Sequence, residues 1–399
     1  MSKLEEQKLP DKLPDSLLER EFEIEELKSR PEDTIVSQEL TINIGPHHPS
    51  THGVFRAIMD MDGEIITRIE PVIGHLHRCF EKIAENRSYA QFMPFTDRMD
   101  YTSAMLNGWA YAMAVEKLAG IQVPERAEYL RVIAGELNRA ISHLMTYTFS
   151  GLEAGAVTPF FWWFEERDKL LDLFEEIAGA RMTFNYARIG GVSGDAPDGW
   201  FDRVRDFIKT LRSNLDEYYK LLFGNYIFKK RMKGIGVISA EEAIRLGITG
   251  PCLRASGVNY DVRKADPYSI YPRFDFEVPI SYKGDNYDRM YMRFLELQQS
   301  LRIVEQALDQ IPDGPIMAEG VPRLVCPPPG EVYAHVESSR GALGYYIVSD
   351  GSPKPYRVKI QAPSFGNLQA FTSMVVNNYF ADVIMIFGTF DPCFGEVDR

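Results

Sequence analysis

Four long stretches carry the recurrence of apolar side chains that marks helices with one buried face: 98–119, 125–149, 160–178 and 198–223. Gly120 closes the first, and Pro124 stands at the favoured opening of the second. Long helices joined by short connections pack antiparallel, so a bundle is the expected centre of the fold. A fifth stripe, Met290, Phe294, Leu297, Leu301, Val304 and Leu308, predicts a helix within 285–311 that Pro312 ends. That stripe reads as core rather than cofactor contact.

Strand signals lie at both ends. Leu40, Ile42 and Ile44 alternate, 54–61 is β-prone, and Asp62-Gly63 favours a tight turn back through Ile65, Ile66 and Ile69. Runs at 331–338, 343–349 and 356–360 predict further antiparallel strands, with helix returning over 368–378. Short helices are expected at 78–91, interrupted at Pro94, and from the capping box Ser239–Glu242 to Gly247. Strand runs and helix runs are segregated, which makes the class α+β. The expected organisation is an acidic extension over 1–38, with a short helix around 17–27, that packs on a partner or stays mobile, and one domain over 39–399. Within that domain the hairpin takes 40–73, the bundle 78–224, the long helix 285–311, and strands and tail 331–399.

The net charge is −13, and the first 40 residues hold twelve acids against six bases. Such a chain lacks the basic face that nucleic acid requires. No stretch approaches the ~20 apolar residues that span a bilayer, and the opening residues lack a secretory core. A place on the cytoplasmic side is the expectation. Cys79, Cys252, Cys326 and Cys393 form no CxxC and read as free buried thiols, unable to hold a cluster or structural zinc unaided.

Gly45-Pro-His-His-Pro-Ser-Thr-His-Gly53 places three of seven histidines on one loop stiffened by two prolines. Three readings stand side by side: backbone contacts in a tight loop, a zinc site, and proton transfer to a polar substrate. Thr96-Asp-Arg-Met-Asp-Tyr101 opens the first long helix, with Asp97 as a cap, Arg98 as a permanent charge and Tyr101 one turn in. Glu153 falls in a hinge of small residues ahead of Phe160, Phe161, Trp162 and Trp163, where a carboxylate needs a cation or a shifted pKa. A histidine, a tyrosine and a carboxylate around one cleft suit a planar substrate with two polar ends.

Taken in order, GPHHPSTHG, PVIGHLHR, RMDY, EAGAVTPFF, RIGGV, LRASG and the terminal GEVDR resemble the D-subunit family of NADH:quinone oxidoreductase, respiratory complex I. The similarity covers roughly 38–399, and the family is similar in turn to the large subunit of nickel–iron hydrogenases. The hydrogenase centre needs two CxxC pairs, which would fall at Asp100 and Ser103 and at Cys393 and Glu396. One thiol of four remains, so hydrogenase activity is not expected and no metal is assigned.

The resemblance implies a quinone site, with quinone as substrate and no cofactor tightly bound by this chain. His52 and Tyr101 would hydrogen-bond the two quinone carbonyls and supply protons, with His48 near the head group. Glu153 would take the place of an aspartate that partners the loop histidine. Arg98 would lie beside the [4Fe–4S] cluster held by the adjacent B subunit. Thr183 stands where the family often has a histidine after Arg-Met, which hints at a low-potential quinone such as menaquinone. Expected partners are the B, C, I and H subunits of complex I. The chain would be peripheral on the cytoplasmic side of the inner membrane, touch the membrane through the complex, and be inactive alone. Alternatives are the large subunit of a hydrogenase-like or a ferredoxin- or F420-dependent membrane complex, or a scaffold without catalysis.

Overall fold

A computed structural model describes residues 39–46 and 53–399. The acidic extension and loop residues 47–52, with His48 and His52, lie outside the described residues.

Strands β1 (Glu39–Ile44), β2 (Arg56–Asp62) and β3 (Ile65–Val72) form an antiparallel sheet in the order β1-β2-β3. Ile44 pairs with Ala57, so the histidine loop joins neighbouring strand ends. Gly63 takes the positive φ of 60° that the turn after Asp62 needs. Helices follow as α1 (Phe80–Glu85), α2 (Tyr89–Thr96), α3 (Ala104–Ala119), α4 (Glu125–Glu153) and α5 (Val157–Ala178). A two-residue ribbon, β4 (Ala187–Arg188) with β5 (Gly191–Val192), precedes α6 (Trp200–Leu222). Short helices α7 (Tyr226–Met232), α8 (Ala240–Arg245), α9 (Gly250–Ala255) and α10 (Val262–Ala265) lead to the long α11 (Asn286–Gln310). Strands β6 (Gly330–Ser338), β7 (Gly341–Ser349) and β8 (Arg357–Gln361) make a second antiparallel sheet. Then come α12 (Pro363–Val375), α13 (Phe380–Phe390) and α14 (Phe394–Asp398).

The bundle core joins α3, α4, α5, α6 and α11 through Trp109, Leu137, Trp163, Phe174, Leu211 and Leu301. On the first sheet Ala57, Met59 and Met61 point inward at period two. With Phe55 and Ile66 they pack on Phe371, Met374, Val383 and Phe387, so the sheet meets the bundle through α12 and α13. The second sheet lays Val336, Leu343, Tyr345 and Ile360 against Tyr111 and Val115 of α3.

Four local expectations are corrected. The first long helix begins at Ala104, not Arg98, so Tyr101 sits on a turn. Asp97 is no helix N-cap: it follows the last residue of α2, and its carboxylate accepts the Asn185 backbone N–H. The expected helix over 78–91 is two helices, because Ser88 and Gln91 form a reciprocal capping box that starts α2 afresh and Pro94 is accommodated inside it. Cys252 and Cys393 are buried as expected, but Cys79 and Cys326 are exposed.

Candidate functional site

A cavity of about 450 Å3 opens where four connections converge. Gly53, at the exit of the histidine loop, forms one wall. Tyr101 and Thr102 come from the α2–α3 turn, and Met145, Phe149, Leu152 and Glu153 from the last turns of α4. Arg340 enters from the β6–β7 turn, and Asp391, Pro392 and Cys393 from the link between α13 and α14. Apolar walls with a few convergent polar groups are the usual form of an organic-ligand site. Another recess, of about 400 Å3, is lined by Lys82, Arg357 and Lys359, whose charges are committed to Glu81 and Glu85.

Asp100 builds the tyrosine turn. One carboxylate oxygen accepts the Thr102 backbone N–H at 3.2 Å and its hydroxyl at 2.8 Å, and the other accepts Arg340 at 2.7 Å. Tyr101 is thereby presented to the cavity with 37% of its surface exposed. The Cys393 side chain beside it, then burial, then Asp100 raise the phenol above its ordinary range. Tyr101 is therefore fully protonated at neutral pH and can act as a donor. Burial first and Asp100 next push the Cys393 thiol up as well, so it too stays protonated.

Glu153, the last residue of α4, is partly buried and faces α13 at Gly388. A Cβ at position 388 would overlap the Glu153 carboxylate. The glycine makes room for an acid one methylene longer than aspartate.

Behind the cavity wall, Arg340 is buried and donates to Asp100 and to the Asp391 carbonyl, and its guanidinium lies 3.0 Å from the Asp391 carboxylate. Ser103 is 3.5 Å from the same guanidinium. Burial, then Asp100, push Glu396 up to about 8. The four positions that would carry hydrogenase thiolates thus meet around an arginine. Among the described residues no group of three or more His, Cys, Asp or Glu could hold a metal ion.

Asp97 also ties the Arg98 turn to the loop bearing Thr183, which takes a φ of 51°. Arg98 is exposed and donates to the Pro94 carbonyl. Tyr101, Thr102, Arg181 and Met182 border one small recess between the two segments.

The family model described as "Respiratory-chain NADH dehydrogenase, 49 Kd subunit" matches residues 153–327 and 320–399. The chain belongs to that family. It is 51% identical over 365 residues to the NADH-quinone oxidoreductase D subunit of Desulforamulus reducens, covering 92% of this chain and all of the relative. The corresponding protein of Clostridium beijerinckii is 49% identical, with 91% and 98% covered, and that of Geobacillus kaustophilus 51%, with 91% and 99% covered.

The family's motifs have structural work in this chain. PVIGHLHR and GEVDR meet: the Asp398 carboxylate accepts the Gly74 and Leu76 N–H groups at 2.9 and 2.7 Å. RIGGV gives Glu116 and Arg131 their backbone partners at Gly190, Arg188 and Gly191. LRASG supplies Arg254, which binds Glu296 at 2.7 Å and Glu337 at 2.8 Å inside the core. That network continues through Asp261 and Arg263 to Glu136 and Arg139. Arg139 then donates to the Ser338 and Glu337 carbonyls and so fixes the turn that carries Arg340.

Of the expected site residues, the structure brings Tyr101 and Glu153 to one cavity and sets Arg98 and Thr183 on segments joined by Asp97. Sequence reading missed Arg340, Asp391 and the apolar wall of Met145, Phe149 and Leu152. The signal for Arg340 was faint: a charged residue at the tip of Ser-Ser-Arg-Gly, between two strands.

Proposed function

We propose that this chain is the quinone-binding component of a proton-translocating NADH:quinone oxidoreductase. The observation that carries the reading is the Tyr101 phenol, kept protonated on the wall of a cavity of about 450 Å3 that Glu153 and Gly53 also line. A quinone head group presents two carbonyl oxygens. Tyr101 donates to one, and His52, covalently joined to Gly53, donates to the other, with His48 nearby. Glu153 orients and charges the histidine, in the room that Gly388 leaves.

The [4Fe–4S] cluster of the adjacent B subunit supplies electrons. Arg98, with a charge that never titrates, faces it together with Thr183, and favours its reduced form. The chain's own part is to hold the quinone, give protons at Tyr101 and His52, and exclude water with the α4 apolar wall. The resulting change in charge is what couples to proton pumping. The chain works with the B, C, I and H subunits, peripheral on the cytoplasmic side of the inner membrane, and is inactive alone. No described helix is long and apolar enough to cross a membrane. The uncharged Thr183 fits a low-potential quinone such as menaquinone, and a steep pH dependence of the cluster's midpoint potential in the assembled complex would count against that.

Quinone reduction in membranes carrying Tyr101→Phe tests the reading, with the donor-to-ferricyanide rate as control. Loss of quinone reduction with the ferricyanide rate intact is expected. Unchanged quinone reduction would refute the donor role.

A further inference from the structure

Helix α3 begins without a cap of its own. Ser103, the residue ahead of it, makes no side-chain bond to the first turn, and its hydroxyl pairs with Ser339 instead. The Met105 N–H is satisfied from α4: Oδ1 of Asn138 accepts it at 3.0 Å. The same amide donates through Nδ2 to the Thr102 carbonyl at 3.2 Å. Asn138 is 1% exposed, and a buried amide is costly unless both of its ends are bonded. An N–H only donates and a carbonyl only accepts, so these two partners fix which way the amide faces.

Both bonds fall on the turn that carries Tyr101. Asp100 takes the Thr102 N–H and hydroxyl, and Asn138 takes the carbonyl, so Thr102 is held at every polar atom it has. The two holds come from different places. Asp100 is anchored by Arg340 on the β6–β7 turn, and Asn138 belongs to α4. With only one of them in place, the peptide after Tyr101 could pivot about the other. Helix α4 also supplies the apolar wall of the cavity. Met145, Phe149 and Leu152 follow Asn138 at spacings of seven, four and three residues, which is one helical face. One rigid helix therefore bears both the wall and the clamp on the turn.

We propose that Asn138 is a positioning residue for the Tyr101 donor, holding the phenol at a fixed distance from the α4 wall. A flat ring that enters beside that wall then meets the hydroxyl in one geometry. Asn138 acts through the Thr102 backbone and does not touch substrate. It lines the small recess behind Tyr101 and Thr102, not the cavity itself. The inference rests on the quinone-site reading and adds a residue to it.

The two ends of the amide have separable duties. The bond from Met105 starts a helix, whereas the bond to Thr102 aims a proton donor. Losing the second leaves Met145, Phe149 and Leu152 in place to hold a ring, so the loss falls on turnover and not on binding. Small displacements of a reacting group are expensive in rate.

The test uses the assembled complex in membranes, with Asn138→Leu, Asn138→Asp and Tyr101→Phe, and the donor-to-ferricyanide rate as the measure of assembly. Asn138→Leu removes both bonds. It should lower kcat for quinone reduction roughly tenfold or more and leave the KM for quinone unchanged. Asn138→Asp has the same shape and still accepts the Met105 N–H, but it donates to Thr102 only as the neutral acid. The charged groups around that carboxyl are Asp100 on the turn, and Arg167 and Arg181 bordering the recess. Its kcat should fall relative to wild type as pH rises from about 6 to about 9 and the acid ionises. Wild-type kcat in both Asn138 variants, alongside an inactive Tyr101→Phe, would overturn the inference and leave the quinone site standing. A raised KM with kcat unchanged would overturn it too, since Asn138 would then serve binding. Activity retained in Tyr101→Phe would remove the quinone-site reading, and this inference with it. Should Asn138→Leu fail to assemble, judged by the ferricyanide rate, Asn138→Asp decides alone, and a pH profile parallel to wild type overturns the inference.

Discussion

Arg340 reaches across 240 residues of sequence to bind Asp100 at 2.7 Å, and through that contact the β6–β7 turn sets the position of Tyr101. Two segments that sequence distance separates are thus one mechanical unit behind the cavity wall.

Removing that cation should be costly. Arg340→Met leaves Asp100 and Asp391 buried without their counter-charge, and a loss of about 3–5 kcal/mol is expected. Arg340→Lys keeps a charge but not the planar fork, so it should fall between. Thermal melting of the purified chain, compared across the three proteins, measures this.

Glu136 makes the same argument inside the bundle. Its carboxylate meets Arg139 and Arg263 at 3.1 Å and accepts from Tyr271 at 2.6 Å and Ser300 at 2.7 Å. Despite the opposing effect of burial, the arginines and hydroxyls hold it down to about 2, below the ordinary 4.5. Its contribution is present above pH 4.5 and is lost as pH falls through about 2. Glu136→Gln should therefore cost about 3–5 kcal/mol at neutral pH and progressively less in acid. Denaturant titrations at two pH values would show the difference, and an equal loss at both would contradict it.

Asp97 runs with the opposite sign. Burial pushes its carboxyl up to about 7 from an ordinary 3.8, against the Asn185 N–H it accepts and nearby Arg98. The native state holds the proton more tightly than the unfolded chain. That contribution is full below 3.8 and is lost as pH rises through about 7. Asp97→Asn still accepts from Asn185 but cannot ionise. Its melting temperature relative to wild type should rise between pH 5 and pH 8, and a constant gap would refute the assignment.

Gly388→Ala drives a methyl group into the Glu153 carboxylate. Quinone reduction in membranes should drop roughly tenfold or more, since small displacements of a positioned group are expensive. Alanine is the better helix former by about 1 kcal/mol, so a weakened α13 does not explain the loss. Gly388→Ala with Glu153→Asp should regain activity, measured by the same assay.

Helices and strands were legible because burial on one face imposes a period that composition cannot hide. Met290 to Leu308 lies in α11 as its spacing predicts, and the first sheet follows its alternation. Tyr101 and Glu153 could be named as a pair, and they do share a cavity. Other features are invisible to periodicity. Glu136, Arg139, Arg254 and Arg263 look like polar-face residues, yet their ion pairs are buried and only the tertiary partners reveal it. The Thr96–Ser103 segment has helical composition, but Asp97 and Asp100 spend their carboxylates on Asn185 and Thr102 and break the helix there. Arg340 needed the second sheet to be folded before its turn could be seen to point inward.

The fit between Glu153 and Gly388 also couples the histories of the two positions. A lineage exchanging the long acid for a short one can first replace Glu153 by aspartate, which opens space, and later gain a side chain at 388. The reverse order passes through an ancestor whose Glu153 carboxylate must swing aside from the new side chain. Substitutions at these positions should therefore be historically contingent, the change in helix α4 preceding the change in α13.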